Sequence, residues 1–480
     1  MTNEMLDIIN AKEQHIAIQA YSGTGKTTTM LEYVKAHPNE RILFLVYNKA
    51  MANDFTERLK GINCYCEIKT IHALAYRWFM RNYLTKQLGN ITVLDIKNYI
   101  NNSGLSYEDY SKIKFYFDMF LSSGLDSPLK LKTLEDWDKK LLTYVNKLWD
   151  YYSKDSFIIS HNIYLKLFQL NKVKLDYDTI ILDECNDINE CMLSIVVNNS
   201  DKKVIVVGDS YQMINAFNFN TNGLQILKEN YGFKEYKLTD SFRIGEDVAK
   251  VSSKYLSNMY NENIDFNGLG KTKITDIELR DGMPNDPIYI LCRTRLGGLK
   301  FIYSYIKRFR SRKVYYVGGL NSFKINDIEK MIKSNGNIFL NGKKYNVKEL
   351  KRMINEGLRD IEIIRTVQMY DFCCQDSKVL ERLRHSETTD KSEANVILLT
   401  AHQSKGLTLN NVIIADDFKD SIDLKIENDL EYEHNYLKRM ANAEVNLLYV
   451  ALTRATNKLD LNSIRKENSN YFESNFLGGV

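Results

Sequence analysis

Seven short apolar runs punctuate the chain: HIAIQAYSG, RILFLVYNK, YDTIILDE, KKVIVVGD, DPIYILCRT, NVILLTAH and NNVIIADD. Each is a continuous β-rich stretch leading into a polar or glycine-containing loop, the pattern of strands covered on both faces in a parallel sheet. Four runs fall before residue 210 and three after residue 285, so the pattern predicts an α/β protein with two sheets rather than one. From about Trp78 to Ser160 the spacing turns helical, as in EDYSKIKFYFDMFLSSG and DWDKKLLTYVNKLWDYYSK. The resulting division is a first sheet domain over 1–78 and 160–236, a helical insertion over 79–159, a second sheet domain over 237–320 and 392–480, and a small insertion over 321–391. The last of these is polar and shows no convincing run of strands. No repeat at a solenoid period and no low-complexity linker interrupts the chain.

Composition agrees with several folded cores: 480 residues, 44% hydrophobic and 26% charged. The formal charge of +4 means that any nucleic-acid surface must be a local stripe of Lys and Arg. Seven cysteines, an odd number without zinc-ligand spacing, suit a reducing compartment and are expected to pack rather than bind metal. No apolar run reaches the ~18 residues of a membrane span, and the N-terminus MTNEMLDIIN is acidic where a signal peptide is basic. A cytoplasmic protein with no membrane contact is expected. The low-proline, Lys-, Asn- and Tyr-rich composition points to bacterial or phage-infected host cytoplasm.

The first run ends in AYSGTGKTTTM, the spacing of a phosphate-binding loop with Ala20 in the first glycine position. Ala20, Tyr21, Ser22, Gly23, Thr24, Gly25, Lys26, Thr27 and Thr28 are the candidate nucleotide contacts. Gly23 and Gly25 let backbone amides turn to a phosphate, and the following helix adds its positive N-terminal end. Lys26 would reach the β- and γ-phosphates and the Thr27 hydroxyl would ligate Mg²⁺. A loop of this kind specifies phosphate binding, not a reaction. TIILDECND narrows it: Asp183 could hold Mg²⁺ and Glu184 could polarise the attacking water. VIVVGDSYQ ends with Gln212, a candidate to hydrogen-bond either that water or the γ-phosphate. ATP and Mg²⁺ are therefore the expected cofactors.

The order of AYSGTGKTTTM, VYNKAMANDF, IKTIHALAY, SHNIYLKLFQL, YDTIILDECND, VVGDSYQMINAF, LTDSFRIGEDVA, ILCRTR, LLTAHQSKGLTLNNVIIADDF and EVNLLYVALTRAT resembles superfamily 1 helicases of the UvrD/PcrA/Rep type, and most of all the F-box DNA helicase branch with its phage and bacterial relatives. The resemblance implies two RecA-like P-loop NTPase domains with ATP in the cleft between them. Arg243 and Arg454 then occupy the positions that contact the γ-phosphate, and Lys405 with Gly406 forms the loop that couples nucleotide state to grip on nucleic acid. A single strand is held by phosphate contacts and aromatic faces; by motif position the candidates are Tyr47, Asn48, Lys49, Thr70, His72, Phe217, Arg293, Thr294 and His402. The implied activity is ATP-dependent DNA unwinding with 3′ to 5′ movement on single-stranded DNA, in replication, recombination or repair. The expected partners are single-stranded and tailed duplex DNA, with replication or recombination proteins, and the expected state is a monomer. A strand translocase that strips proteins without unwinding, and the motor subunit of a helicase-nuclease, are the alternatives.

Several positions depart from the family pattern. Met5 stands where a Gln reads adenine, and a thioether cannot make paired hydrogen bonds to a base edge. Asn186 shortens the amide of the common DEAQD block, Asn215 replaces a stacking Tyr, Asn218 an Arg, and Thr408 a Glu that binds the sugar. These changes spare the phosphate chemistry and alter recognition.

Overall fold

The computed structural model describes residues 1–83, 86–102, 104–133, 136–283, 285–309, 311–340, 343–355, 361–418 and 435–461. The chain divides into two compact units, Met1–Asp240 with Asp429–Ala443, and Ser241–Asn428 with Glu444–Val480.

The first unit is built on β1 (His15–Ala20), β2 (Arg41–Val46), β3 (Tyr65–Thr70), β4 (Thr179–Leu182), β5 (Lys203–Gly208) and β6 (Lys234–Leu238). They form one sheet in the order β3-β2-β4-β5-β1-β6, every neighbouring pair parallel. The four strands legible as apolar runs are the four interior ones. Their side chains alternate between two cores: Ile16, Ile18, Ile42, Phe44, Ile181, Ile205 and Val207 on one face, and Ala17, Leu43, Leu45, Ile180, Leu182, Val204 and Val206 on the other. Each such aliphatic side chain contributes about 1.5–3 kcal/mol on burial, which is why neither face tolerates a polar alternation. The edge strands YCEIKT and KEYKL have one unpaired side and carry exposed or half-buried residues, so they lack the continuous signal.

The helical insertion shares the second of these cores. Phe117 and Phe120 of the helix Tyr107–Ser122 pack into the cluster that holds Leu43 and Leu45. Capping boxes at Thr92 with Asp95 and Ser106 with Asp109 start two of its helices. Its ends are clipped by a two-residue parallel pairing of Gln87–Leu88 with Ile158–Ile159, which helical spacing did not predict. The helix His161–Leu170 then returns to the sheet. Its Lys166 is fully buried, donates to the Ser123 (2.9 Å) and Leu125 carbonyls, and is pulled down by burial to a pKa of about 8.

The second unit carries β7 (Lys273–Ile274), β8 (Ile288–Cys292), β9 (Val314–Tyr316), a hairpin of β10 (Asn337–Leu340) and β11 (Lys343–Asn346), then β12 (Val396–Thr400), β13 (Leu409–Ile414) and β14 (Ala455–Asp460). Apart from the hairpin, these form a second six-stranded parallel sheet in the order β7-β14-β13-β8-β12-β9. The expectation of an insertion without strands is corrected here, because β10 and β11 pair antiparallel in register from Asn337↔Asn346 to Leu340↔Lys343. Each strand is four residues long and mixes polar positions with Ile338 and Tyr345, which pack against the core of the second unit, so the period-two signal is faint.

Candidate nucleotide and strand-binding site

The parallel register sets three loops side by side. Gln19 on β1 is level with Gly208 on β5, and Leu182 on β4 is level with Val206. The phosphate loop, the carboxylates 183–184 and the segment 209–212 therefore leave the same edge of the sheet from three adjacent strands, where parallel α/β sheets bind ligands.

The loop has the backbone its glycines predict: Gly23 at φ 79° and Gly25 at φ 85°, both left-handed. Gly25 also faces Met5, since a Cβ there would lie 2.8 Å from the Met5 methyl group. Met5 is buried against the loop, so the departure from Gln is a packing contact in this fold. Lys26 opens the helix Lys26–Ala36, and its ammonium donates to the Ala20 carbonyl at 3.3 Å. Thr24 Oγ1 donates to the Tyr21 carbonyl at 2.8 Å and pins the turn, and Tyr21 stacks on Tyr211. Thr27 is half-buried and Thr28 exposed.

Asp183 is 2% exposed at the end of β4, and its Oδ1 accepts the Glu184 N–H at 2.9 Å. Glu184 is left-handed at φ 53°, ψ 46°, a conformation rare for a non-glycine residue and concentrated at functional sites. The residues fit nucleotide and metal: a glycine cradle with a lysine at its rim, and a hydroxyl and a buried carboxylate, Thr27 and Asp183, as hard oxygen donors.

Gln212 sits in a buried polar network that the sequence did not announce. The Asp209 carboxylate accepts from Gln212 Nε2 (2.7 Å), Gln19 Nε2 (3.1 Å) and the Tyr211 N–H (3.2 Å). The Ser210 N–H donates to Gln19 Oε1 at 3.1 Å, and the Asp209 N–H to Asn186 Oδ1 at 3.0 Å. Gly208 leaves room for this contact, since a Cβ there would lie 2.5 Å from that oxygen. The only clue to Gln19 was a lone amide in the apolar run IAIQA.

Of the strand-binding candidates, Tyr47 is 41% exposed. Asn48 caps the helix Lys49–Leu59 with its side-chain oxygen on the Met51 N–H, which gives it a structural duty, while Lys49 is exposed. Thr70 caps the next helix through the Ala73 N–H. Tyr47 and His72 line a cavity of about 620 Å³ whose wall also includes Asp183, Asn218 and Phe219. Phe217 lies in the turn Ala216–Asn218, and its side chain is outside the described residues; Phe219, which was not anticipated, faces this cavity instead.

His72 is locally wired. Its Nδ1 lies 3.3 Å from the Tyr164 hydroxyl, which also meets His161 Nδ1 at 3.0 Å. Burial first, and then the neighbouring His161, lower the His72 pKa to about 4. Between pH 6.5 and about 4 the unfolded chain thus binds a proton at this ring that the folded one refuses, so stability is lost as pH falls through that window. His72 is expected to stay neutral by NMR titration down to about pH 4, and His72→Gln to flatten the acid limb of the stability curve; a ring titrating near 6.5 would contradict the assignment.

In the second unit, Arg293 Nε pairs with Glu444 at 2.7 Å, and the backbone N–H groups of Arg293 and Thr294 both donate to Asp417. Thr294 also caps the helix Arg295–Arg308. Burial raises the Asp417 carboxyl against the lowering effect of those donors. Gly297 admits that carboxylate, since a Cβ would meet it at 2.0 Å. Arg293 and Thr294 therefore belong to a bonded corner rather than to two independent contacts. His402 is exposed on the turn Ala401–Ser404, with Gly406 left-handed at φ 81° after the half-buried Lys405. Arg243 is half-buried in the loop before the helix Glu246–Tyr260. Arg454 is 1% exposed, with Nε on the Val450 carbonyl (2.8 Å) and NH2 on Thr453 Oγ1 (3.1 Å). Among the described residues no helix is long and apolar enough to cross a membrane.

Known proteins share this organisation. Residues 5–218 match the family model described as an AAA domain, and residues 162–466 match the UvrD-like helicase C-terminal domain. The chain is 27% identical to F-box DNA helicase protein 1 of Schizosaccharomyces pombe over 93% of its own length and 55% of that protein. It is also 27% identical to F-box DNA helicase 1 of Gallus gallus, over 95% of its own length and 48% of that protein. The chain thus spans about half the length of these curated relatives.

Proposed function

This chain belongs to the UvrD-like helicase family, and we propose on that premise that it is an ATP-driven DNA helicase that moves along single-stranded DNA, 3′ to 5′. The carrying observation is the shared wall: Asp183 at the end of β4 lines the same cavity as Tyr47 and His72. A cavity of about 620 Å³ has the size of a small-molecule site, here offered to a nucleobase, so strand occupancy and hydrolysis act on one carboxylate-bearing turn.

In the proposed reaction the phosphate loop and Lys26 hold the β- and γ-phosphates. Mg²⁺, held by Thr27 and Asp183, would supply charge neutralisation on the phosphate oxygens. Glu184 takes a proton from the attacking water as its oxygen bonds to the γ-phosphorus, and the bond to the β–γ bridging oxygen breaks, leaving ADP and phosphate. Arg243 and Arg454 are the guanidinium donors for the charge that develops in this step. Lys405 and Gly406 would carry nucleotide state to the strand, which Lys49, Arg293, Thr294 and His402 help to hold.

The test is ATPase activity with and without single-stranded DNA and RNA, followed by unwinding of duplexes tailed at either end. Stimulation by DNA and unwinding from 3′ tails support the reading. No stimulation by any nucleic acid overturns it, unwinding only from 5′ tails reverses the direction, and stimulation without unwinding favours the protein-stripping translocase.

One local basic patch falls on the small insertion: residues 330–352 hold seven Lys or Arg against one Glu, a net +6. The helices Ile325–Lys333 and Val347–Asn355 bury Ile325, Ile328, Met331, Val347 and Leu350, leaving Lys330, Lys333 and Lys348 exposed with Lys344 of β11. Replacing these four lysines by Ala is expected to lower the salt dependence of tailed-duplex binding by a slope of about 3 to 4. ATPase stimulation by single-stranded DNA should stay near wild type; an unchanged slope would remove the insertion from the DNA surface.

A further inference from the structure

We infer that Gln19 is a positioning residue for hydrolysis: it holds the Asp209 carboxylate, and through Asp209 it fixes the amide of Gln212. This rests on the ATPase reading above and adds to it a residue in the strand before the phosphate loop.

The argument starts from what each atom can do. A carboxylate only accepts, so the ends of Gln19 and Gln212 that face Asp209 must be their NH₂ groups, and both amide orientations are fixed by chemistry rather than by choice. Gln19 is determined at its other end as well, because Oε1 faces the Ser210 N–H, which can only donate. It therefore bridges the side chain of one residue and the backbone of the next, 190 and 191 positions away in sequence. β1 places it there by pairing Gln19 with Gly208, one residue before Asp209. Gln19, Asp209 and Gln212 are all nearly or fully buried, at 8%, 0% and 4% exposure, where an unmade hydrogen bond is costly.

The consequence reaches the reaction. With Nε2 held by Asp209, the Gln212 carbonyl oxygen is turned away from that carboxylate. The network thus fixes the orientation of the Gln212 amide, whose oxygen can accept from a water and whose second N–H can donate to a phosphate oxygen, and it ties that orientation to β1, the strand that carries the phosphate loop. Asn186, which accepts the Asp209 N–H, fixes the same turn from the side of Asp183 and Glu184.

The experiment is a double-mutant cycle on the full chain: ATP hydrolysis with saturating single-stranded DNA for wild type, Gln19→Leu, Gln212→Ala and the double variant. Gln19→Leu is expected to lower kcat about tenfold, with KM for ATP and fluorescent-nucleotide binding within about twofold of wild type. In the Gln212→Ala background it should cost nothing further. A second variant covers loss of folding in the first. Gln19→Glu keeps the size and sets a carboxylate against Asp209, so the pair must share a proton, and its kcat relative to wild type should recover as pH falls from about 8 to about 6. Additive losses in the double variant, a rise in KM with unchanged kcat, or a pH profile of Gln19→Glu parallel to wild type would each overturn the assignment. A wild-type protein without ATPase activity would instead overturn the reading on which it rests.

Discussion

Glu184→Gln is expected to lower kcat for ATP hydrolysis by about 100-fold or more while nucleotide affinity stays close to wild type. The substitution keeps the shape and the left-handed backbone, which the Glu184 N–H on Asp183 Oδ1 and the Glu184 carbonyl on the Asp187 N–H hold in place. What it removes is the carboxylate proposed to take the water's proton, and general-base contributions of this kind are worth roughly 10²–10⁴-fold. The proposed Mg²⁺ and phosphate contacts through Thr27, Asp183 and Lys26 are left in place, so a fluorescent nucleotide should bind and remain. DNA held by the arrested protein in the presence of ATP would show the strand site still responding to nucleotide. Turnover within a few-fold of wild type would remove Glu184 from the base role.

The second large effect is at Lys26, and its signature differs. Lys26→Ala deletes the cation at the mouth of the glycine cradle, where the helix Lys26–Ala36 begins and the ammonium is already steered by the Ala20 carbonyl. Charge donors aimed at a developing transition state are worth about 10²–10³-fold each. kcat/KM should therefore fall by at least about 100-fold, and nucleotide binding should weaken with it, unlike in Glu184→Gln. Lys26→Arg is not expected to rescue, because a planar guanidinium cannot replace a point charge in a cradle sized for an ammonium. Near-normal turnover in Lys26→Ala would mean that the loop binds something other than a reacting phosphate.

The departures that sequence comparison flagged separate once their surroundings are known. Met5 packs on Gly25 and so belongs to the loop's own architecture. Asn186 accepts the Asp209 N–H with its side-chain oxygen, a contact for which Gly208 leaves room. Asn215 leans toward Asp187 with its Nδ2 at 3.5 Å, and Asn218 is exposed at the cavity. Thr408 is exposed and has no such compensation among the described residues.

By itself, the sequence determined the four interior strands of the first sheet and three of the four interior strands of the second, and it pointed to phosphate chemistry. β1, β2, β4 and β5 of the first sheet, and β8, β12 and β13 of the second, were legible because a strand buried on both faces must be apolar at every position. Lys26, Asp183 and Glu184 were singled out because the proposed phosphate transfer calls for those groups at fixed steps from a strand end. The tertiary structure alone decided the rest: β3, β6, β7 and β9 lie at sheet edges, the interior β14 carries exposed polar positions in ATNKLD, and the hairpin of β10 and β11 has only four residues a strand, so none leaves a long continuous apolar run. It alone decided the partners as well. Gln19 meets Asp209, Tyr164 joins His72 to His161, and Asp417 collects Arg293 and Thr294. A hydrogen bond between residues far apart in the chain leaves no spacing to read, since only the folded chain brings its two ends together, by parallel strand register for Gln19 and Asp209 and by helix packing for His72 and Tyr164.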